Sequence, residues 1–451
     1  MYTCKITGID NTNQYEELIR VFMPDKKYRL LTVFSDGSCD CSTLNYDGDK
    51  NKLKRQLYRE LESYTGKSPK WGILTGIRPV KLAGEKYKQT GDIQKVKAEL
   101  ESEYLLEPSK SALTVEILEY QLNTAGLPEN NSVSVYLGIP FCPTRCLYCS
   151  FTSNQVKQSE IERYMDALYK EIEYCSHKMT EGKYKLESFY IGGGTPTTLD
   201  EQQLDKLLAK ICMSFDMSNI AEFTVEAGRP DTITEEKLCI MKKHGVTRIS
   251  INPQTMKQKT LDLIGRKHTV EETASAFEMA LDSGISSINA DLIAGLPEES
   301  FEDFKDSLDK VIAYGPDNIT LHTLAVKRAS RLKEMDEEFN YKDEELREQM
   351  LIYASDALRN AGYRPYYLYR QKHTSGNTEN IGYCRNDAVS VYNIRIMEEA
   401  QSILAMGAGG ISKVFFPAEN RLERVANVSN YEIYIDRIEE MIQRKEENFW
   451  R

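Results

Sequence analysis

No run of about 18 consecutive apolar residues occurs in this chain of 451, so a membrane-spanning helix is not expected. The opening residues, Met1-Tyr2-Thr3-Cys4-Lys5, lack the apolar segment of a secretory leader, and the protein is expected in the cytoplasm. Histidine is scarce: the five at 177, 244, 268, 322 and 373 show no spacing of an imidazole metal site, although His322 falls on a strand pattern and can face a ligand. An excess of positive charge is missing too. Lys plus Arg total 58 against 69 Asp plus Glu, a net charge of −11, which disfavours general attraction to nucleic acid or anionic lipid. Repeats of solenoid type are absent, and the composition, 41% hydrophobic and 28% charged, excludes disordered and collagen-like classes.

What is present is cysteine. In a reducing compartment ten cysteines read as thiols or metal ligands before disulfides. Seven are scattered (Cys4, Cys39, Cys41, Cys175, Cys212, Cys239 and Cys384), while Cys142, Cys146 and Cys149 fall within eight residues.

The length allows about three domains, or one large domain with attachments. Residues 1–130 read as an accessory region: a small α/β unit, then Trp71-Gly-Ile-Leu-Thr-Gly-Ile-Arg-Pro79, then helical patterns near 91–106 and 109–125. From Val133, β-rich runs (133–139, 187–191, 221–225, 248–251, 287–292 and 318–324) alternate with helical patterns (159–179, 200–213, 234–244, 269–283 and 300–313). Such alternation predicts an α/β fold with a parallel sheet, either doubly wound or a complete or partial β/α barrel, with ligands at the strand C-termini. Residues 331–451 read as a C-terminal region on the substrate side, with a helix over Glu344–Asn360, a Tyr-rich strand over Tyr363–Tyr369 and a loop-like tail.

The segment Tyr136-Leu-Gly-Ile-Pro-Phe-Cys142-Pro-Thr-Arg-Cys146-Leu-Tyr-Cys149-Ser-Phe151 follows the first strand of this α/β region, at its ligand-bearing end. Structural zinc wants four closed ligands, and no second C-x2-C or nearby histidine completes such a set; zinc and plain core thiols are the rival readings. Three cysteines on one loop can hold three irons of a [4Fe–4S] cluster and leave the fourth open. S-adenosylmethionine can chelate that iron and undergo one-electron cleavage beside it.

With these residues in view, the loop resembles that of radical S-adenosylmethionine enzymes. The Tyr-x-x-Ile-Pro-Phe-Cys form resembles the oxygen-independent coproporphyrinogen III oxidase family, which includes coproporphyrinogen dehydrogenases and haem chaperones. The similarity spans residues 132–415 and implies a partial (β/α)6 radical SAM barrel over 131–330. It assigns cofactor contacts to Tyr136 and Tyr148 beside the cluster, and to Gly193, Gly194 and Thr195 of the Gly192-Gly-Gly-Thr-Pro196 motif. It also assigns Glu226 at the end of the third strand, Gln254 after the fourth, Arg266, whose fork suits a methionine carboxylate, Asp291 inside an apolar run, and Ala325 near the adenine. Asn252-Pro253 stands where family members often carry Gly-Val, and Phe151 where some oxidases carry a fourth cysteine.

The resemblance implies a [4Fe–4S] cluster and S-adenosylmethionine as cofactors, an external low-potential electron donor, and coproporphyrinogen III as substrate. Two propionates would become vinyl groups with loss of carbon dioxide, giving protoporphyrinogen IX. Arg370, Lys372 and Arg385 are candidate hosts for the propionates. Residues 368–384 and the Gly-rich segment 405–410 resemble the dehydrogenase branch, but the N-terminal Pro-Tyr-Arg-Thr-Tyr-Pro stretch of established oxidases is missing. A haem chaperone and a radical enzyme acting on another tetrapyrrole are the alternative readings.

Overall fold

The computed structural model describes residues 2–9, 11–23, 28–31, 42–150, 153–324, 344–371 and 378–450. Near the N-terminus, β1 (Tyr2–Thr7), β2 (Tyr28–Leu31) and β3 (Ser42–Asn45) form a parallel sheet in the order β2-β1-β3. Helices α1 (Asn13–Phe22) and α2 (Lys50–Thr65) pack with it around a separate apolar core that includes Ile6, Leu18, Phe22 and Leu57. Helices α3 (Pro79–Thr90), α4 (Ile93–Ser102) and α5 (Pro108–Thr124) instead send Val80, Val96, Leu100 and Leu118 into the main core. The sequence reading passed over α3, although Pro79 in its first turn and Gly91 after its last, at φ 64°, are ordinary start and stop signals.

Six strands follow: β4 (Ser132–Ile139), β5 (Lys185–Gly193), β6 (Glu222–Glu226), β7 (Arg248–Gln254), β8 (Ser287–Ala294) and β9 (Asn318–Thr323). All pair in parallel and in chain order. Parallel neighbours need crossovers, supplied here by α6 (Gln158–Glu181), α7 (Glu201–Ser214), α8 (Glu235–Lys243), α9 (Gln258–Leu263), α10 (Val270–Asp282) and α11 (Phe301–Tyr314). Capping boxes at Asp200/Gln203, Thr269/Glu272 and Ser300/Asp303 fix where three of these helices begin.

The C-terminal region completes the sheet on both sides. On one flank β10 (Arg364–Arg370) pairs with β11 (Glu379–Cys384), which runs antiparallel to β9. On the other, β12 (Ser402–Met406) runs parallel to β4 and continues through β13 (Ile411–Phe416) into β14 (Arg421–Ala426). The full order of this eleven-stranded sheet is β10-β11-β9-β8-β7-β6-β5-β4-β12-β13-β14. Because β4 and β9 each carry an added strand instead of pairing with one another, the parallel set stays an open, partial barrel. The loop-like tail expected after Tyr369 is thereby corrected. Its strands are short, and β11 and β12 join the sheet only through β9 and β4, which lie well upstream in the chain, so their local pattern is weak. Among the described residues no helix is long and apolar enough to cross a membrane.

Candidate active site

Backbone pairing sets the cysteine loop before any side chain contributes. Beyond β4, the Cys142 amide donates to the Asn154 carbonyl (3.1 Å) and the Asn154 amide returns to the Pro140 carbonyl (2.8 Å). The glycine motif after β5 is stitched to the same segment: Gly194 N–H reaches the Ile139 carbonyl at 2.8 Å, and Thr195 N–H the Phe141 carbonyl at 2.7 Å. A Cβ on Gly194 would lie 2.4 Å from the Phe141 carbonyl oxygen and 3.0 Å from the Cys142 sulfur, so only glycine fits there. On the far side, Leu147 N–H bonds the Ile264 carbonyl at 2.9 Å, and Leu147 and Tyr148 rest on Ile264, Ile293, Leu296 and Leu324.

Cys142, Cys146 and Cys149 all open onto one cavity of about 470 Å³. Cys142 and Cys146 are buried, and the Cys142 sulfur sits 3.3 Å from the Thr195 hydroxyl. Burial pushes the Cys142 thiol up to about 11, so a bound metal must displace its proton. Among the described residues no three His, Cys, Asp or Glu side chains converge closely enough for a single metal ion. Three thiols opening onto one cavity are the donor set that a multi-iron cluster takes.

The remaining predicted residues line that same cavity: Tyr136, Tyr148, Gly193, Gly194, Thr195, Glu226, Gln254, Arg266 and Asp291. Ala325 lies outside the described residues, as do Phe151 and Lys372. Glu226 accepts the Tyr190 hydroxyl, and burial, reinforced by Asp291, raises its carboxyl to about 7. Asp291 accepts from Asn289 Nδ2 at 2.8 Å and faces His322 Nε2 at 3.6 Å, while His322 Nδ1 meets the Tyr369 hydroxyl at 3.2 Å. Gln254 takes the left-handed conformation, φ 69°, at the end of β7. Its Oε1 and the Oδ1 of Asn252 are buried without partners and belong to residues on the cavity wall. Unpartnered buried acceptors are costly, so both are suited to N–H donors on a bound molecule. Together with the glycine cradle and the thiols, they fit the ammonium and amine groups of S-adenosylmethionine.

Two guanidiniums brace the cysteine loop from behind. Arg229 chelates Asp231 through two 2.9 Å bonds and donates to Thr144 Oγ1 at 2.5 Å. Arg266 donates to Tyr148 Oη (3.1 Å), to the Gly228 and Asn252 carbonyls (2.8 and 2.6 Å), and to Cys146 Sγ at 4.0 Å, the outer limit for sulfur. Burial works against its charge, and Tyr148 and Cys146 more than restore it.

Below the cysteines the lumen is walled by tyrosines. Tyr136, Tyr190 and Tyr392 are stacked, with Tyr190 and Tyr392 centred 4.5 Å apart, and Tyr366, Tyr367 and Tyr369 face them from β10. Sequence reasoning missed Arg229, Asn252 as an acceptor, and most of these tyrosines. The available signal was the alternate polar positions along apolar strands: 248, 250, 252 and 254; 289 and 291; 320 and 322.

Two expected propionate hosts lie elsewhere. Arg370 is buried over the Trp71 ring, 4.9 Å from its centroid, with its guanidinium on the Leu74 and Gly76 carbonyls. Arg385 bonds the Gly315 carbonyl and covers the Tyr363 ring. The Gly-rich segment is also spoken for, since Gly407 N–H donates to Glu171 (2.7 Å), Ala408 N–H to Tyr164 (3.0 Å) and Gly409 N–H to the Val428 carbonyl (2.8 Å).

The radical SAM superfamily matches residues 136–311. The chain is 40% identical over 403 residues to the oxygen-independent coproporphyrinogen-III oxidase-like protein HemZ of Bacillus subtilis, covering 88% of this chain and 80% of that protein. It is 35% identical to the heme chaperone HemW of the same organism over 195 residues, 43% of this chain and 51% of that protein. Among solved structures, coproporphyrinogen III oxidase (HemN) from Escherichia coli superposes with a TM-score of 0.56 at 22% identity, covering 69% of this chain and 70% of that one. That likeness shows a shared α/β fold with a large, mostly parallel sheet. The HemZ match extends well beyond the barrel into both flanking regions, and so the chain belongs to the radical SAM superfamily and, within it, to the HemZ-like family of oxygen-independent coproporphyrinogen III oxidase-like proteins.

Proposed function

We propose that the protein is a radical SAM enzyme of coproporphyrinogen III oxidative decarboxylation, converting two propionates to vinyl groups and yielding protoporphyrinogen IX. Three thiols opening onto a tyrosine-lined cavity of about 470 Å³ support this reading, since a cluster held by them would face a space suited to an organic molecule. A [4Fe–4S] cluster and S-adenosylmethionine, with an external low-potential electron donor, would supply the chemistry of hydrogen abstraction from an unactivated C–H bond. Cys142, Cys146 and Cys149 hold that cluster. Gln254 and Asn252 accept N–H groups of the cofactor, Gly193, Gly194 and Thr195 let it approach the backbone, and Glu226 takes a ribose hydroxyl or the ammonium. Tyr136 and Tyr148 shape the pocket, Asp291 holds the cofactor with His322 at its back, and the tyrosine wall keeps water from the reacting carbon.

In this reading residues 1–130 brace the substrate side. Trp71 Nε1 donates to Glu379 at 3.1 Å, and Arg78 and Lys81 pair with Glu399 at 3.0 and 3.2 Å, tying that region to the C-terminal residues 331–451 that carry the tyrosines. The test is anaerobic cluster reconstitution, then incubation with reductant, S-adenosylmethionine and coproporphyrinogen III, with mass analysis of tetrapyrroles and deoxyadenosine. Deoxyadenosine formed without decarboxylated tetrapyrrole would remove the oxidase assignment. His322 and Tyr369 on the lumen wall support a second reading, because both residue types ligate haem iron. Stable stoichiometric haem binding with no deoxyadenosine would favour a chaperone of the kind named among the relatives.

A further inference from the structure

The edge strand β10 breaks its own alternation. On a regular strand, neighbouring side chains face opposite sides of the sheet. Here the pairing with β11 slips between Pro365 and Tyr367, which makes Tyr366 the extra residue of a β-bulge. Tyr366 and Tyr367, consecutive in the chain, therefore both reach the lumen, with Tyr369 two residues on, while Leu368 turns away into the main core. A bulge sacrifices pairing and recurs beside sites where a side chain has to be re-aimed.

Gly382 completes the arrangement. It stands opposite Tyr367 in the β10–β11 register, and a Cβ there would fall 1.9 Å from the Tyr367 ring. Only hydrogen at position 382 lets that ring lie close over β11 instead of being pushed farther into the lumen. The Tyr367 hydroxyl gains little from this placement, since its bond to Thr320 Oγ1 is long at 3.4 Å. What the bulge delivers is the ring itself, which lies within 7° of parallel to the Tyr369 ring at 6.5 Å between centres.

The space these rings border is about 470 Å³, within the range of about 300–1,000 Å³ for a site that holds one drug-sized molecule. With S-adenosylmethionine at its head, such a lumen takes part of a tetrapyrrole and not the whole macrocycle. A pyrrole ring is the part that suits an aromatic wall: it is uncharged and flat, and its N–H can be accepted by a tyrosine face or hydroxyl. A carboxylate is not, because the face of a tyrosine ring is itself negative. We propose, resting on the tetrapyrrole reading above, that Tyr367 is a specificity-determining residue whose ring receives one pyrrole ring of the substrate, placed for that contact by the bulge at Tyr366 and the glycine at 382.

The test is titration of coproporphyrin III into the reconstituted full-length protein, followed by fluorescence quenching, with S-adenosylmethionine affinity measured alongside by calorimetry. Tyr367→Leu, which keeps an apolar side chain but loses the aromatic face, should weaken coproporphyrin III binding by about two- to tenfold, and Tyr367→Phe, which keeps the ring, should weaken it less. Gly382→Ala should weaken it as well and should add nothing on the Tyr367→Leu background, because the glycine acts through that ring. S-adenosylmethionine affinity should hold at the wild-type value in every variant. Equal losses in Tyr367→Leu and Tyr367→Phe, or a Tyr367→Leu protein that binds coproporphyrin III like the wild type, would overturn the proposal. So would a parallel fall in S-adenosylmethionine affinity, the mark of a lumen that has merely collapsed. Should Gly382→Ala fail to fold, the two Tyr367 variants decide. A wild-type protein that binds S-adenosylmethionine but no coproporphyrin III would bring down the tetrapyrrole reading itself, an outcome distinct from any of these.

Discussion

Replacing Lys445, on a helix spanning Ile438–Asn448, by Met tests how that helix is held to α6 of the barrel. Lys445 and Glu171 are both fully buried and lie 2.5 Å apart. The Glu171 carboxylate also accepts Gly407 N–H at 2.7 Å, Tyr434 Oη at 2.6 Å and Asn427 Nδ2 at 2.8 Å. Burial alone would raise its pKa, and Lys445 with the Gly407 amide and Tyr434 instead hold it below the ordinary value. Losing Lys445 leaves a buried charge with neutral donors only, at a cost of about 3–5 kcal/mol, a large share of the stability of a typical domain. Glu171→Gln on the Lys445→Met background removes the stranded charge while keeping an acceptor for part of the network, and should recover about 2 kcal/mol. Urea unfolding followed by the fluorescence of Trp450, whose amide bonds the Lys445 carbonyl at 3.3 Å, with Trp71→Phe as the common background, reads both changes. A Lys445→Met midpoint equal to that of its parent, or a double variant less stable than Lys445→Met, would refute this account of the network.

Three further outcomes are expected. Cys146→Ala should abolish the iron-dependent absorption and the reduced-cluster EPR signal while far-UV circular dichroism stays unchanged; survival of both signals would mean that the ligand is misassigned. Gly194→Ala forces a Cβ against the Phe141 carbonyl and the Cys142 sulfur, so iron uptake and S-adenosylmethionine binding should both fall, by calorimetry more than tenfold for the latter, and unchanged values would show the cradle to be loose. Because the folded-state pKa of Glu226 is raised to about 7, ionising it destabilises the ligand-free protein as pH climbs from the unfolded value of about 4.3 through 7, by at most about 4 kcal/mol. Glu226→Gln should therefore lessen the fall in thermal midpoint between pH of about 5 and 7, though Glu299 and Glu398, also raised to about 7, contribute the same trend and will remain.

Much of the barrel was legible because its elements advertise themselves locally. Strand cores such as Val133–Ile139 are near-continuous apolar runs, and the intervening helices open on side-chain caps such as Asp200 and Ser300, so pattern and propensity agree. The cysteine loop stood out through its spacing, and the glycine motif only through the family resemblance. Residues whose role depends on another segment were not legible: Arg370 was expected to host a propionate, whereas Trp71 and the Leu74 carbonyl enclose it, and β12 needed β4 to become a strand. Arg229 had no motif around it, and its bond to Thr144 ties it to the cysteine loop.

Charge pairing inside the lumen also constrains where an anionic substrate can sit. Arg248 is spent on Glu222, Asn318 and the Ala388 and Val389 carbonyls, and Arg229 on Asp231 and Thr144. Arg266 is turned to Cys146, so no described guanidinium on the wall is open to a propionate. Glu226 and Asp291 would repel one directly, whereas hydroxyls and ring faces from the tyrosines suit an uncharged macrocycle. Under the proposed reading, the reacting propionate must then enter with its carboxylate held away from these acids, so that its β-carbon, not its charge, approaches the cofactor. Asp291→Asn removes one of the two repelling charges. If propionates are steered in this way, it should strengthen the binding of coproporphyrin III, a tetracarboxylate probe, in fluorescence quenching; weaker binding would show that Asp291 attracts the substrate, through its N–H groups, instead of excluding its acids.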